Sequence, residues 1–150
     1  LEDYLKFLTI FLEKEQNSNS LFYKKQITDK MLKNQIGKLA ITPFKSFNKV
    51  LTLDYDLYPN IGKKWGYGLL VNEDPILEKR SEGSGSWAGV FNTYFWIDKK
   101  KGIAGTILMQ SLPCYDQKAL MAFEEFEKIM YKQPRRVGML DINIKLPNQP

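Results

Sequence analysis

Residues 83–110, GSGSWAGVFNTYFWIDKKKGIAGTILMQ, constrain the fold more than any other stretch. The segment 88–98 is rich in aromatic and β-branched residues and reads as a strand. Phe91, Thr93, Phe95 and Ile97 fall on one face, and Val90, Asn92, Tyr94 and Trp96 on the other. Both faces are largely apolar, so helices are expected on both sides. Lys99 to Lys101 break the run, and Gly102 supplies the positive φ that a hairpin loop needs. Residues 103–110 then read as a second buried strand, with Pro113 closing the sheet. Ahead of the pair, Gly83-Ser84-Gly85-Ser86 is small enough to lie flat beside a bound group with its N–H groups exposed.

The rest of the chain supplies helices and turns. Residues 3–15 predict an amphipathic helix with Tyr4, Leu5, Leu8, Phe11 and Leu12 on one face and Lys14 near its end. Residues 17–20 have loop composition. Thr28 is placed as an N-cap, with Ile27 and Leu32 as a staple, of a helix stopping at Gly37. Residues 41–62 have no clean period and read as a long surface excursion. Residues 65–71 predict a strand, 72–75 a turn, and 76–80 the start of the next strand. Asp116 caps a last helix to about residue 131, whose stripe of Ala119, Ala122, Phe123, Phe126 and Met130 should cross the sheet. Glu124 and Lys128 are spaced as an ion pair on that helix. The expected fold is α+β, an antiparallel sheet of three to four strands flanked by helices, in one unit over residues 1–132. Residues 133–150, with Pro134, Pro147 and Pro150, read as an extended, partly mobile tail.

The run 86–110, with Asn92-Thr-Tyr-Phe-Trp-Ile-Asp98 at its centre, resembles the C-terminal sheet of the serine β-lactamase and penicillin-binding-protein superfamily. The class C-like branch, with its esterases, is the most similar. The resemblance extends more weakly over residues 3–131, including DYLKF at 3–7 and the segment Met31 to Gly37. It implies the C-terminal portion of a β-lactamase/transpeptidase-like fold and hydrolysis of an ester or amide through an acyl-enzyme. That chemistry uses a Ser three residues before a Lys, a proton relay, a Lys-Thr-Gly-like strand and backbone oxyanion donors.

Only the strand finds a match. Gly83-Ser84-Gly85 stands where Lys-Thr-Gly would, Ser86 N–H is the implied oxyanion donor, and Trp87 continues the strand. Gly83 has no amine, as in the esterase-like members, which points away from β-lactam substrates. The implied partners are a small-molecule ester or amide and the N-terminal remainder of the hydrolase; no cofactor is implied. Two strands and the nucleophile helix are not found ahead of Leu1, so the chain reads as a C-terminal segment, inactive alone, with an exposed sheet edge. The alternative is a non-catalytic binding or scaffold module built on the same fold.

Two further matches carry little. Ser46-Phe-Asn-Lys49 satisfies Ser-x-x-Lys, and Tyr58-Pro-Asn60 satisfies a Tyr-x-Asn relay. With seven serines and nineteen lysines, one such match is expected by chance, and these lie close together in a Pro-punctuated stretch. The chain has no His, which excludes a Ser-His-Asp or Cys-His machine within it. Cys114 is the only cysteine, so no internal disulfide can form. The carboxylates Asp54/Asp56 and Glu124/Glu125/Glu127 predict no metal site, the latter group reading as a solvated helix face. The net charge of +5 is spread along the chain, and the basic/aromatic patches at 63–65 and 133–136 do not suggest a nucleic-acid partner. No apolar run approaches a membrane span, so no membrane partner is expected.

Overall fold

The two faces of the aromatic run are covered from opposite sides. In the computed structural model, which describes residues 1–12 and 25–132, the chain is α+β. Its elements are α1 (Glu2–Thr9), α2 (Lys25–Met31), β1 (Lys63–Trp65), β2 (Leu70–Asn72), β3 (Gly85–Gly89), β4 (Thr93–Asp98), β5 (Ile103–Ile107) and α3 (Gln117–Lys132). The strands form one antiparallel sheet in the order β1-β2-β3-β4-β5, five where three to four were expected. Tyr94 and Trp96 of β4 pack against Leu120, Phe123 and Phe126 of α3. On the other face Ile97 meets Leu8 and Phe11, with Phe95, Met31 and Leu32 around them. Burial of each such side chain is worth about 1.5–3 kcal/mol, so β4 anchors both layers.

The extra strand comes from turns hidden inside apolar runs. Residues 65–71 are not one strand but the bend of a hairpin: Lys63 stands opposite Asn72 and Trp65 opposite Leu70. Gly68, at φ 74°, makes that bend possible. Likewise 88–98 divides into β3 and β4. Asn92 turns the chain at φ 60°, its N–H donates to Gly89 O at 3.1 Å, and Ala88 comes to lie opposite Tyr94. Val90 and Phe91 are therefore exposed at a hairpin tip and not on strand faces. Residues 76–80 form a turn, with Ile76 N–H on Arg80 O at 2.8 Å, and do not start a strand. β5 stops at Ile107, short of Gln110.

The helices follow the sequence reading in part. α1 continues as a turn, with Leu12 N–H on Thr9 O at 2.9 Å. Lys14, the loop 17–20 and the tail 133–150 lie outside the described residues. Thr28 is not a cap: it is buried within α2, and its carbonyl accepts from Leu32 N–H at 3.3 Å. Asp116 does cap α3, its Oδ1 accepting from Lys118 and Ala119 N–H at 3.0 and 3.2 Å. Glu124 faces Lys79 at 3.9 Å across the helix–loop boundary.

Two fully buried polar side chains bracket β4. Asn92 Nδ2 donates to Ser111 O (3.1 Å) and Pro113 O (2.8 Å), while its Oδ1 accepts from Tyr94 OH (2.7 Å). Asp98 accepts from Lys101 N–H (2.9 Å), Ser81 N–H (2.8 Å) and Tyr131 OH (3.1 Å). Each satisfies turn N–H or carbonyl groups that would otherwise be stranded at a strand end. The pair explains why an apolar run begins with Asn and closes with Asp.

Burial pushes the phenols of Tyr55, Tyr58, Tyr94 and Tyr131 upward, and that of Tyr115 from 10.0 to about 12. Above about pH 10 the unfolded chain releases phenolic protons that the folded chain keeps, so stability falls as pH rises through that point. Alkaline titration should show the exposed tyrosines ionising first and the buried ones only in a cooperative step with loss of circular dichroism. A single gradual tyrosinate rise near pH 10 with the fold intact would contradict this.

Candidate functional site

β3 is a central strand for only half its length. Val71 and Leu70 stand opposite Gly85 and Ser86, and among the described residues no strand continues beside Trp87, Ala88 and Gly89 on that side. Peptide groups alternate in direction along an antiparallel strand. Asn72 N–H donates to Ser84 O at 3.1 Å, so Ser84 and, two residues on, Ser86 turn their peptide groups toward β2. Gly85 and Trp87 turn theirs toward β4, where they face Ile97 and Phe95. Ala88 thus aims its N–H and C=O at the side β2 has left.

The strand entry is packed, not open. Gly83 N–H donates to Asn72 O at 2.8 Å and Ser84 N–H to Ser81 O at 3.3 Å. The Ser84 hydroxyl also donates to Ser81 O, at 2.7 Å. Ser86 N–H is directed at Leu70, not at a ligand position. A Cβ on Gly85 would run into the side chains of Leu32 and Leu69. Gly83 itself is exposed at φ 79°. The expectation of exposed N–H groups at 83–86 fails because those of Gly83 and Ser84 go to Asn72 O and Ser81 O, while Gly85 and Ser86 lie between β2 and β4, where the ladder takes theirs. Among the described residues, the position with no strand on its β2 side is Ala88, next to Trp87.

Beside Ala88 runs a crevice lined by Phe44, Leu57, Trp87 and Tyr115 among others, with a volume of ≈ 10 Å³, about one water. Residues 44–55 close it. Phe44 and Tyr55 exchange N–H···O bonds of 2.7 and 3.0 Å. The Phe44 ring meets Trp87 edge-on at 5.8 Å, Trp65 packs on the same indole at 4.5 Å, and Tyr55 stacks on Tyr115 at 4.3 Å. Residues 41–62 thus run largely over the surface, as expected, with 47–51 exposed, but the rings of Phe44 and Tyr55 anchor the excursion on the sheet.

Behind the crevice lies an ion pair. Arg80 Nε donates to Glu127 Oε1 at 2.5 Å and Nη2 to Oε2 at 3.2 Å, with side chains 1% and 0% exposed. Glu127 is thus not on a solvated face, as the sequence reading had it; it sits on the buried side of α3 beside Phe123 and Phe126. Tyr58 OH donates to Glu127 Oε2, and the Arg80 guanidinium lies 5.1 Å from the Tyr58 ring centre and 5.6 Å from that of Phe123. Tyr58 is committed to this cluster.

The remaining matches resolve into turns. The Ser46 hydroxyl accepts from Asn48 N–H at 3.1 Å, while the Lys49 ammonium is bonded to Asp54. Lys49, then Ser46 N–H, then Lys45 hold the Asp54 carboxyl well below the usual carboxylate range. Lys63 is buried on Asp56 (2.7 Å) and Leu57 O (2.9 Å), and Lys64 donates to Leu39 O at 2.8 Å. These lysines are spent on the chain itself, and the patch at 133–136 lies outside the described residues. Among the described residues no group of three His, Cys, Asp or Glu gathers at metal-binding distance. No protein-family model matches the chain, and no curated protein matches it.

Proposed function

We propose that the chain supplies the substrate-side strand of a serine hydrolase related to the β-lactamases and penicillin-binding proteins, acting on a small ester or amide through an acyl-enzyme, and that it is inactive alone. The observation supporting this reading is the peptide of Ala88, aimed at the unpaired side of β3 beside Trp87. In the reaction, a serine Oγ from outside this chain, its proton taken by a base also outside this chain, attacks the substrate carbonyl carbon. The π electrons move onto oxygen, and Ala88 N–H donates to that oxyanion. Collapse breaks the bond to the leaving alcohol or amine, which departs with that proton, and water, deprotonated by the same base, later hydrolyses the acyl-enzyme and leaves the serine protonated. Arg80 lines the crevice but is neutralised by Glu127, which favours a substrate without a carboxylate.

The isolated chain should give no turnover of nitrocefin or p-nitrophenyl esters and no labelling by a fluorophosphonate; a label on Ser46 overturns the reading. The upstream reading frame should encode a Ser-x-x-Lys on a predicted helix. In that longer hydrolase Ala88→Pro, which removes the N–H on the side of β3 away from β4, should lower kcat about 10²–10³-fold with little change in KM and with the fold retained by circular dichroism. An unchanged kcat removes Ala88 from the mechanism. The closed crevice favours the second reading, a non-catalytic module, and an upstream frame without Ser-x-x-Lys would support it.

A further inference from the structure

A small cavity lies between β2, β3 and residues 57–63. Tyr58, Lys63, Leu70, Asn72, Arg80 and Ser86 are among its lining residues, and its volume is ≈ 10 Å³, about one water. The strand register explains why polar groups meet there. Leu70 stands opposite Ser86, and Ser86 opposite Trp96, whose indole packs on α3. Side chains of opposed residues share a face, so Ser86 points its hydroxyl to the α3 side. Asn72 follows Leu70 by two residues and lies on the same face. Asn72 and Ser86 are therefore diagonal neighbours on adjacent strands, and both are buried, at 6% and 4% exposure.

Asn72 has one polar atom left over. Its Nδ2 donates to Asp74 O at 2.6 Å and to Ser81 O at 2.9 Å. Both acceptors are carbonyls, so the amide cannot be turned round without setting Oδ1 against them. Oδ1 is fully buried, and no protein donor among the described residues reaches it. The cations that line the cavity do not serve it. Lys63 Nζ spends its three N–H groups on Asp56 Oδ1, Leu57 O and Tyr58 O. Arg80 directs Nε and Nη2 at Glu127 and Tyr58. Diagonal neighbours lie about 7–8 Å apart, too far for the short serine to reach the amide. A water making two bonds of about 2.8 Å each spans that gap. A buried acceptor is costly until some donor reaches it, and the cavity admits nothing larger than water.

We propose that this cavity is a binding site for one internal water molecule, which donates to Asn72 Oδ1 and bonds the Ser86 hydroxyl. The inference does not depend on the hydrolase reading. The water completes Asn72 as the fastening of the 73–82 turn: the amide holds the turn at Asp74 and Ser81, and the water ties that amide to β3. The test is a crystal structure of the whole chain, with oxygen-17 relaxation dispersion of the solvent as its counterpart in solution. A water oxygen is expected within hydrogen-bond distance of both Asn72 Oδ1 and Ser86 Oγ. Ser86→Val fills the cavity with a residue suited to a strand. It should lose that oxygen, and the dispersion should fall by the amplitude of one slowly exchanging water. No water oxygen at the site, Asn72 Oδ1 bonded to a protein donor instead, or an unchanged amplitude in Ser86→Val overturns the proposal. The crystal structure of the unaltered chain decides it without any variant.

Discussion

Replacing Glu127 by alanine should cost about 3–5 kcal/mol and lower the melting temperature by roughly 10 °C or more. The reason is what stays behind. Arg80, with its side chain 1% exposed, would keep a full charge among Tyr58, Trp96 and Phe123 with its bidentate partner gone. Its remaining polar contact among these is a 3.3 Å bond to the Tyr58 hydroxyl, and that hydroxyl would itself lose its acceptor. Removing both charges is a different experiment. Arg80→Met with Glu127→Leu keeps the volume and removes both desolvated ions, so it should return most of the loss and can exceed the starting stability. Urea unfolding of the two variants decides the matter. A loss below about 1 kcal/mol for Glu127→Ala would mean that water reaches the pair and that the site is not dry.

Trp96→Ala should be comparably severe, at about 3–5 kcal/mol. The indole is 0% exposed. It lies 5.9 Å from Phe123 and 5.5 Å from Phe126, centre to centre, and its six-membered ring covers Gly105 so closely that a Cβ there would collide with it. Deleting it leaves a hollow between β4, β5 and α3 that the rigid sheet cannot close. Trp96→Phe should be much milder, because Trp96 Nε1 has no hydrogen-bond partner to lose and an aromatic ring still fills most of the space. Thermal melts of the pair should separate them clearly. Equal effects would show that the indole N–H, and not the packed volume, matters at this position.

The arrangement was legible where a residue type has one physical use. The alternation of 93–98 gave both covered faces, Asp116 gave the start of α3, and Ala119, Phe123 and Phe126 gave its buried side. Turns inside apolar runs were misread, since Val90-Phe91 has strand composition yet sits at a tip. The signal present was Asn92, which tolerates the left-handed region, following Gly89. The same holds for Gly66-Tyr67-Gly68 within 65–71. Glu127 was missed for another reason. It lies four residues after Phe123, on the apolar stripe, and a carboxylate there demands a buried cation. Only Arg80, the one arginine among the described residues, could meet it with a two-point fork. The direction of the β3 peptides depended on register, which composition does not encode.

The meander order β1-β2-β3-β4-β5 has a kinetic consequence. Every strand pairs with its neighbour in sequence, so each hairpin closes a short loop at small entropic cost and can zip from its own turn. The long-range closures include those of α1 onto Ile97, of residues 51–53 onto Cys114 and of the Arg80 fork onto α3. The ladder can therefore assemble first from the middle of the chain outward, with the flanking helices arriving as late, separately docking pieces.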